Sequence, residues 1–215
     1  MSDSSLSYSP QQTRYEYPRI VAAAQALYLE RGIEAVSLAD IAVNLRMPVG
    51  AIERHFPAGK AALVQAVLTN HLQHIHHTML QQREESSNAV EEILAMRRFL
   101  QQTMSDTRSL FFQELDVYYP VVWQDVQRSR TDFMLNHLQA NMHRGMREGL
   151  YRIDLDVATL AQQWLHRADS QLASARSAAE LTETYYSQIS QFLASLTTLA
   201  GTYAIRRLQE APPYY

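Results

Sequence analysis

Apolar residues in this chain recur every three to four positions almost from end to end and never alternate over the length of a strand, so the pattern predicts helices and no sheet. Pro18 opens a predicted helix that runs to about Arg31 and is closed by Gly32, leaving residues 1–15 as a flexible polar arm. Ser37 is a good N-cap, and Leu38, Ile41, Ala42 and Leu45 follow at i, i+3, i+4 and i+7, giving two turns with one buried face. Pro48 suits the first position of a second short helix, with Ile52 and Phe56 on its inner side and Val49, Ala51, Glu53 and Arg54 nearer the outside. From Lys60 a long helix carries Leu63, Val67, Leu72, Ile75 and Met79 to about Arg83, where Glu84 to Asn88 interrupt the pattern. Further helices are predicted at roughly 89–105, 108–118, 120–148, 156–175, 179–195 and 199–209, with Gly149 as a helix end and Asp156 as an N-cap.

The two short helices need partners, and their spacing with a tight turn between them suits a helix-turn-helix, in which the first helix props the second at the major groove. Upstream, Ile20, Ala23, Ala24, Leu27, Tyr28, Glu30 and Gly32 follow an "I..AA..LF.E.G" pattern, and Ser37, Leu38, Asp40, Ile41 and Ala42 follow "T(V/L).DIA". Gly50, Ile52, His55 and Phe56 continue it, and Phe56 to Lys60 read as the junction "FPxGK". Over residues 19–63 the chain therefore resembles the TetR family of bacterial transcriptional regulators. Weaker likenesses in the same order lie at Phe112 to Trp123 and Gly145 to Asp156.

The resemblance implies an all-α, TetR-like fold: an arm at 1–15, a helix-turn-helix DNA-binding domain at 16–60, and a helical ligand-binding and dimerisation domain at 61–210. It implies a ligand-responsive regulator, a repressor in most of the family, that binds a palindromic operator as a homodimer. Arg54 and His55 are then expected at DNA beside Val49 and Ala51, whose methyl groups suit thymine, with Gly50 among them and Ser37 and Lys60 on phosphates. The chain departs from the family at Arg46, which takes a turn position usually given to Gly, at Pro48, and at Glu53, which stands where a phosphate-touching Tyr is common. A carboxylate there repels the backbone unless Arg54 or Arg46 neutralises it or it accepts from a cytosine amino group. These departures keep an alternative open, a TetR-like interaction module that has lost operator binding.

Charge sharpens this picture. Lys60 is the single lysine, and the net charge is −3 from 19 basic and 22 acidic residues, which disfavours a broad nonspecific nucleic-acid binder. With Gly59 before it and free N–H groups of a helix start beside it, Lys60 suits a phosphate. No Gly precedes Gly59 by five residues and Ala61 follows Lys60, so a nucleotide-binding loop is excluded, as are the common catalytic motifs; no enzyme and no cofactor are expected. The absence of cysteine excludes thiol chemistry, and without a signal segment or a membrane-length apolar run the protein is expected in the cytoplasm with no membrane partner.

Aromatics and Met in the middle region suit an apolar effector with one or two polar groups: Phe99, Phe111, Phe112, Tyr118 and Tyr119, then Trp123, Met134, His137 and Trp164. Core packing explains any one of them equally well. A stripe of Tyr185, Ile189, Phe192 and Leu196, matched by Leu160 and Trp164 in the preceding helix, fits a symmetric four-helix dimer interface, though intrachain packing explains either stripe alone. His71, His74, His76 and His77 are close enough on a helix to suggest a metal site, but no carboxylate completes it and solvated histidines account for the run.

Overall fold

The computed structural model describes residues 10–103, 110–174 and 178–210. Among them the chain forms α1 (Pro10–Arg31), α2 (Leu38–Leu45), α3 (Val49–His55), α4 (Lys60–Glu85), α5 (Ala89–Thr103), α6 (Leu110–Tyr118), α7 (Pro120–Arg147), α8 (Val157–Ser174), α9 (Ala178–Leu196) and α10 (Leu199–Glu210). The all-α expectation holds, with one isolated antiparallel bridge, Tyr151 to Thr197, as the only β pairing among the described residues. Predicted helix ends at 105, 108 and 175 lie outside the described residues.

α1 differs from its prediction. It already includes Pro10, so Pro18 lies inside the helix and residues 10–15 are helical rather than part of a flexible arm. Pro18 removes one helical hydrogen bond, but the turn around it is tied down: Glu16 meets His55 at 3.1 Å, and the Tyr17 ring stacks on Phe56 with centroids 5.3 Å apart.

The chain forms two compact units. Among the described residues, one takes 10–73 and 110–126, the other 74–103, 127–174 and 178–210. The first unit is larger than the predicted domain at 16–60, because the first half of α4 and the whole of α6 help to close its core. Ile20, Ala24 and Tyr28 of α1 pack there with Ile41, Ile52 and Phe56, with Leu63, Val67 and Leu68 of α4, and with Phe111 and Leu115 of α6. Each fully buried Leu or Ile contributes roughly 1.5–3 kcal/mol, and this packing is what holds two helices as short as α2 and α3.

In the second unit α5 is central. Val90, Ile93, Leu94 and Met96 are all buried, against Met134, Leu138 and Met142 of α7 and Ile189 and Leu193 of α9. Gly145 is required by close approach, since a Cβ there would stand 2.1 Å from the Tyr151 ring. That ring is buried, and its hydroxyl donates to Asn141 Oδ1 at 3.2 Å while Asn141 Nδ2 donates to the Ala89 carbonyl at 3.0 Å.

Candidate nucleic-acid interface and effector region

The sequence builds the α2–turn–α3 corner with a capping box. The Asp40 N–H donates to Ser37 Oγ at 3.2 Å and the Ser37 N–H to Asp40 Oδ2 at 2.8 Å, satisfying two free donors of the first turn. The Ser37 hydroxyl also donates to Asp40, and these hydrogen bonds from Ser37 hold the Asp40 carboxyl below its ordinary range. A phosphate contact by Ser37 therefore requires that hydroxyl bond to be exchanged.

Arg46 ends α2 in the left-handed region, φ 54° and ψ 46°, and is the one non-glycine residue with positive φ among those described. The departure from Gly thus carries strain on the order of 1 kcal/mol. Pro48 is the N-cap of α3, one position earlier than expected, with φ −65° and ψ 143°, and its carbonyl accepts from the Ala51 N–H.

Along α3 the structure separates the expected contact residues. Val49, Glu53 and Arg54 are exposed and Gly50 half-exposed. Val49 and Glu53, like Gly50 and Arg54, lie four apart and so share a side of the helix. Two expectations are corrected. Ala51 is 0% exposed, so its methyl belongs to the core and not to a thymine contact. The His55 side chain is only 7% exposed and its Nε2 pairs with Glu16 at 3.1 Å, which makes it a fastener between α1 and α3. In a seven-residue helix both positions fall beside Ile52 and Phe56, on the inward side. Val43 of α2 is 78% exposed, an apolar residue out of step with the Leu38, Ile41, Ala42, Leu45 stripe.

Lys60 opens α4 after Gly59, whose φ of +73° is left-handed, and its Nζ donates to the Glu34 carbonyl at 3.4 Å. The same α1–α2 corner is held from α6. Glu114 accepts the N–H of Ile33, and that of Glu34 at 3.0 Å. Gly32 there has φ +84°, and a Cβ on it would come within 2.9 Å of the Glu114 carboxylate. Beside this clamp Phe111 stacks on Tyr28, centroids 5.9 Å apart and 8° from parallel. Burial raises the pKa of the Tyr28 hydroxyl, and burial followed by the charges of Glu34 and Glu114 raises that of Tyr119.

The nine expected effector-lining residues are divided between the two units. Phe111, Phe112, Tyr119 and Trp123 pack on the core of the first unit, and Tyr118 is 54% exposed. Phe99, Met134, His137 and Trp164 belong to the second unit, with all but Phe99 buried. Periodicity identifies an inward face but not the core it enters.

Polar chemistry in the second unit centres on Glu92, which is 1% exposed. Arg144 Nη1 donates to its Oε2 at 3.1 Å while also donating to Glu148, to the Ser86 carbonyl at 2.7 Å and to the Arg83 carbonyl at 3.0 Å, so one guanidinium serves the end of α4 and a buried carboxylate. Burial raises the Glu92 pKa against the hydrogen bonds from Asn141 and Arg144. His137 Nε2 stands 3.4 Å from Glu92 Oε1, and burial, with the charge of Arg83 second, pushes the imidazole down to about 4, so it is neutral at neutral pH.

The dimer stripe also changes. Ile189 and Leu196 are both 0% exposed inside a single chain, with Phe192 and Trp164 nearly so, and packing between α8, α9 and α5 accounts for them. Leu160 is half-buried, and the side chain of Tyr185 lies outside the described residues. A cleft of about 120 Å³ remains open along α8 and α9, lined by Leu160, Trp164, Arg167, Gln188 and Phe192 among others.

Of the histidines, His71 leans on Phe112, His76 stacks on Phe133 at 3.7 Å, and His74 and His77 are exposed. His76 is thus a packing residue rather than a solvated one. No cluster of metal-ligating side chains occurs among the described residues, and no helix there is long and apolar enough to cross a membrane.

A capped α2, a tight turn, an exposed face on α3 and a basic residue opening α4 together form a helix-turn-helix unit. Residues 20–67 match the family described as bacterial regulatory proteins, tetR family. Over 96 residues, 45% of this chain and 43% of the relative, the sequence is 36% identical to the HTH-type transcriptional regulator TtgR of Pseudomonas putida. It is 35% identical over the same shares to a Pseudomonas putida protein named "Probable HTH-type transcriptional regulator ArpR". The match thus spans less than half the length of these curated relatives. In fold, the chain is similar to a transcriptional regulator from Cytophaga hutchinsonii at TM-score 0.76 and 15% identity, covering 85% of this chain and 99% of that one. The likeness to that family at the level of sequence is thus carried by residues 20–67, and the rest of the chain shares the fold of such regulators.

Proposed function

We propose that the protein is a cytoplasmic, effector-responsive repressor that binds a palindromic DNA operator as a homodimer. Residues 16–60 form the reading head, supported by the first half of α4 and by α6, and effector binding and dimerisation fall to the rest of residues 61–210. The observation that carries this reading is the outward set Val49, Gly50, Glu53 and Arg54 on α3, flanked by Arg46 and by Lys60 at the start of α4. Val49 suits a thymine methyl, Arg54 a base edge or phosphate, and Lys60 a phosphate. Two reading heads about 34 Å apart match successive turns of one face of the duplex, which is the reason for a dimer. The α8–α9 cleft, rather than the buried Ile189 and Leu196, is the surface it uses.

α4 contributes residues 60–73 to the first unit and 74–85 to the second, so an effector that shifts α4 moves the reading head. A preference of about 2–3 kcal/mol for one conformer changes operator affinity roughly 30- to 150-fold.

The test is fluorescence anisotropy on DNA flanking the protein's own gene, with scrambled DNA as control and salt varied. Lys60→Ala is expected to weaken binding to all sequences and to make the salt slope shallower by about one unit per lost contact. A second reading, an interaction module without operator binding, is favoured by the exposed carboxylate of Glu53 on the reading helix. Equal binding to operator and scrambled DNA by a folded dimer, unaffected by Lys60→Ala, would select it.

A further inference from the structure

α5 buries two charged side chains, and they are treated very differently. Glu92, 1% exposed, has Arg144 at 3.1 Å with Asn141 and His137 around it. Arg97, little more than one turn along the same helix, is 8% exposed, and its Nε has no hydrogen-bond partner. No carboxylate among the described residues reaches its guanidinium. Among the described residues it is the ring face of Tyr186 on α9 that meets the cation, with its centroid 3.8 Å from Cζ.

A cation–π contact offsets only part of the cost of burying a guanidinium, and a buried cation without an anion is among the costliest features a core can retain. Arg97 provides five N–H donors in a planar fork, matched in shape to a carboxylate, sulfonate or phosphate. Tyr186, which covers it, is 46% exposed, so the cation lies one ring below the surface and a side-chain rotation is enough to uncover it. Ile93 and Leu94, one turn before Arg97 on α5, and Ile189 and Leu193 on α9 make the surroundings apolar.

From this juxtaposition we infer that Arg97 is the anion anchor of the effector site, and that the effector is an apolar molecule carrying one carboxylate, sulfonate or phosphate group. The inference rests on the effector-responsive reading above and narrows it to a chemical class. A second copy of the chain is disfavoured as the source of the anion. At about 100° per residue Tyr186 lies on the side of α9 that holds Ile189 and Leu193 against α5, whereas Gln188, Gln191 and Ser195 of the open α8–α9 cleft lie on the far side.

Two probes with one aromatic body test it. 8-Anilinonaphthalene-1-sulfonate carries an anion; N-phenyl-1-naphthylamine lacks it. Saturable fluorescence titrations of the full chain are expected to give tighter binding of the sulfonate. Arg97→Met should weaken the sulfonate at least tenfold and leave the neutral probe within twofold, and Arg97→Lys should keep most of the preference. The melting temperature of ligand-free Arg97→Met should be unchanged or higher, since the variant removes an uncompensated buried charge. An unchanged ratio between the probes in Arg97→Met overturns the anchor while leaving an effector site in place. A large drop in melting temperature or loss of the dimer also overturns it, because the guanidinium then has its partner within the protein. Failure of both probes to bind the wild-type chain counts against the effector reading itself, and the anchor falls with it.

Discussion

Two residues of the α2–turn–α3 corner place stability and the proposed operator binding in opposition. Arg46 holds a left-handed backbone that Gly adopts without strain. Arg46→Gly removes roughly 1 kcal/mol of strain, part of which is offset by the greater freedom of Gly in the unfolded chain. Urea denaturation should show a net gain of about 0.5 kcal/mol, while operator affinity falls with the lost cation; equal loss of both would mean that Arg46 supports the fold through its side chain. Gly50 is the converse. Its backbone is not left-handed and a Cβ on it would meet nothing within 4 Å, so nothing inside the protein requires glycine there. Gly50→Ala should therefore stabilise by about 0.5–1 kcal/mol. If the start of α3 approaches a DNA backbone closely, the same substitution should weaken operator binding tenfold or more in anisotropy, and unchanged affinity would place DNA farther from this turn.

At the scale of elements, α6 shows where legibility ends. Helix spans, the Ser37 cap, the Gly149 stop and the Asp156 cap are local, and local spacing is enough to read them. The return of α6 onto the α1–α2 corner is not, because Glu114 and Ile33 are 81 residues apart and a carboxylate on a helix surface carries no mark of two distant backbone amides. For the same reason Phe111 and Phe112 read as effector-lining residues, and Ala51 and His55 as outward ones: the pattern fixes the period of a short helix better than the depth of its burial. The clamp makes its own prediction. Glu114→Ala leaves two backbone donors without their acceptor and should cost about 1–3 kcal/mol. It should also speed amide exchange at Ile33 and Glu34 specifically, with Glu114→Gln recovering part of the protection. Slow exchange at both amides in Glu114→Ala would mean that Gly32 and the Tyr28–Phe111 stack hold the corner without it.

Over the whole molecule, the ionisable groups that are buried, rather than the net charge, set how stability depends on pH. His137 is the clearest case: burial and Arg83 lower its pKa from an ordinary 6.5 to about 4. Between those values the unfolded chain binds a proton that the native chain does not, so unfolding becomes easier as pH falls through this window and stability rises as pH increases through it. The full shift corresponds to a loss on the order of 3 kcal/mol on going down to about pH 4. Glu92 acts with the opposite sign, because its raised pKa lets the native state keep a proton that the unfolded state has released, which lowers stability as pH rises past the ordinary carboxyl range. Since Glu92 keeps Arg144 in the His137→Leu variant, that variant isolates the imidazole. The difference in unfolding free energy between about pH 7 and about pH 4.5 should shrink by roughly 2 kcal/mol in His137→Leu, measured by urea denaturation at both pH values. An undiminished difference would mean that His137 takes up its proton in the folded protein, with Glu92 close enough to hold the charged imidazole, and that acid sensitivity arises elsewhere.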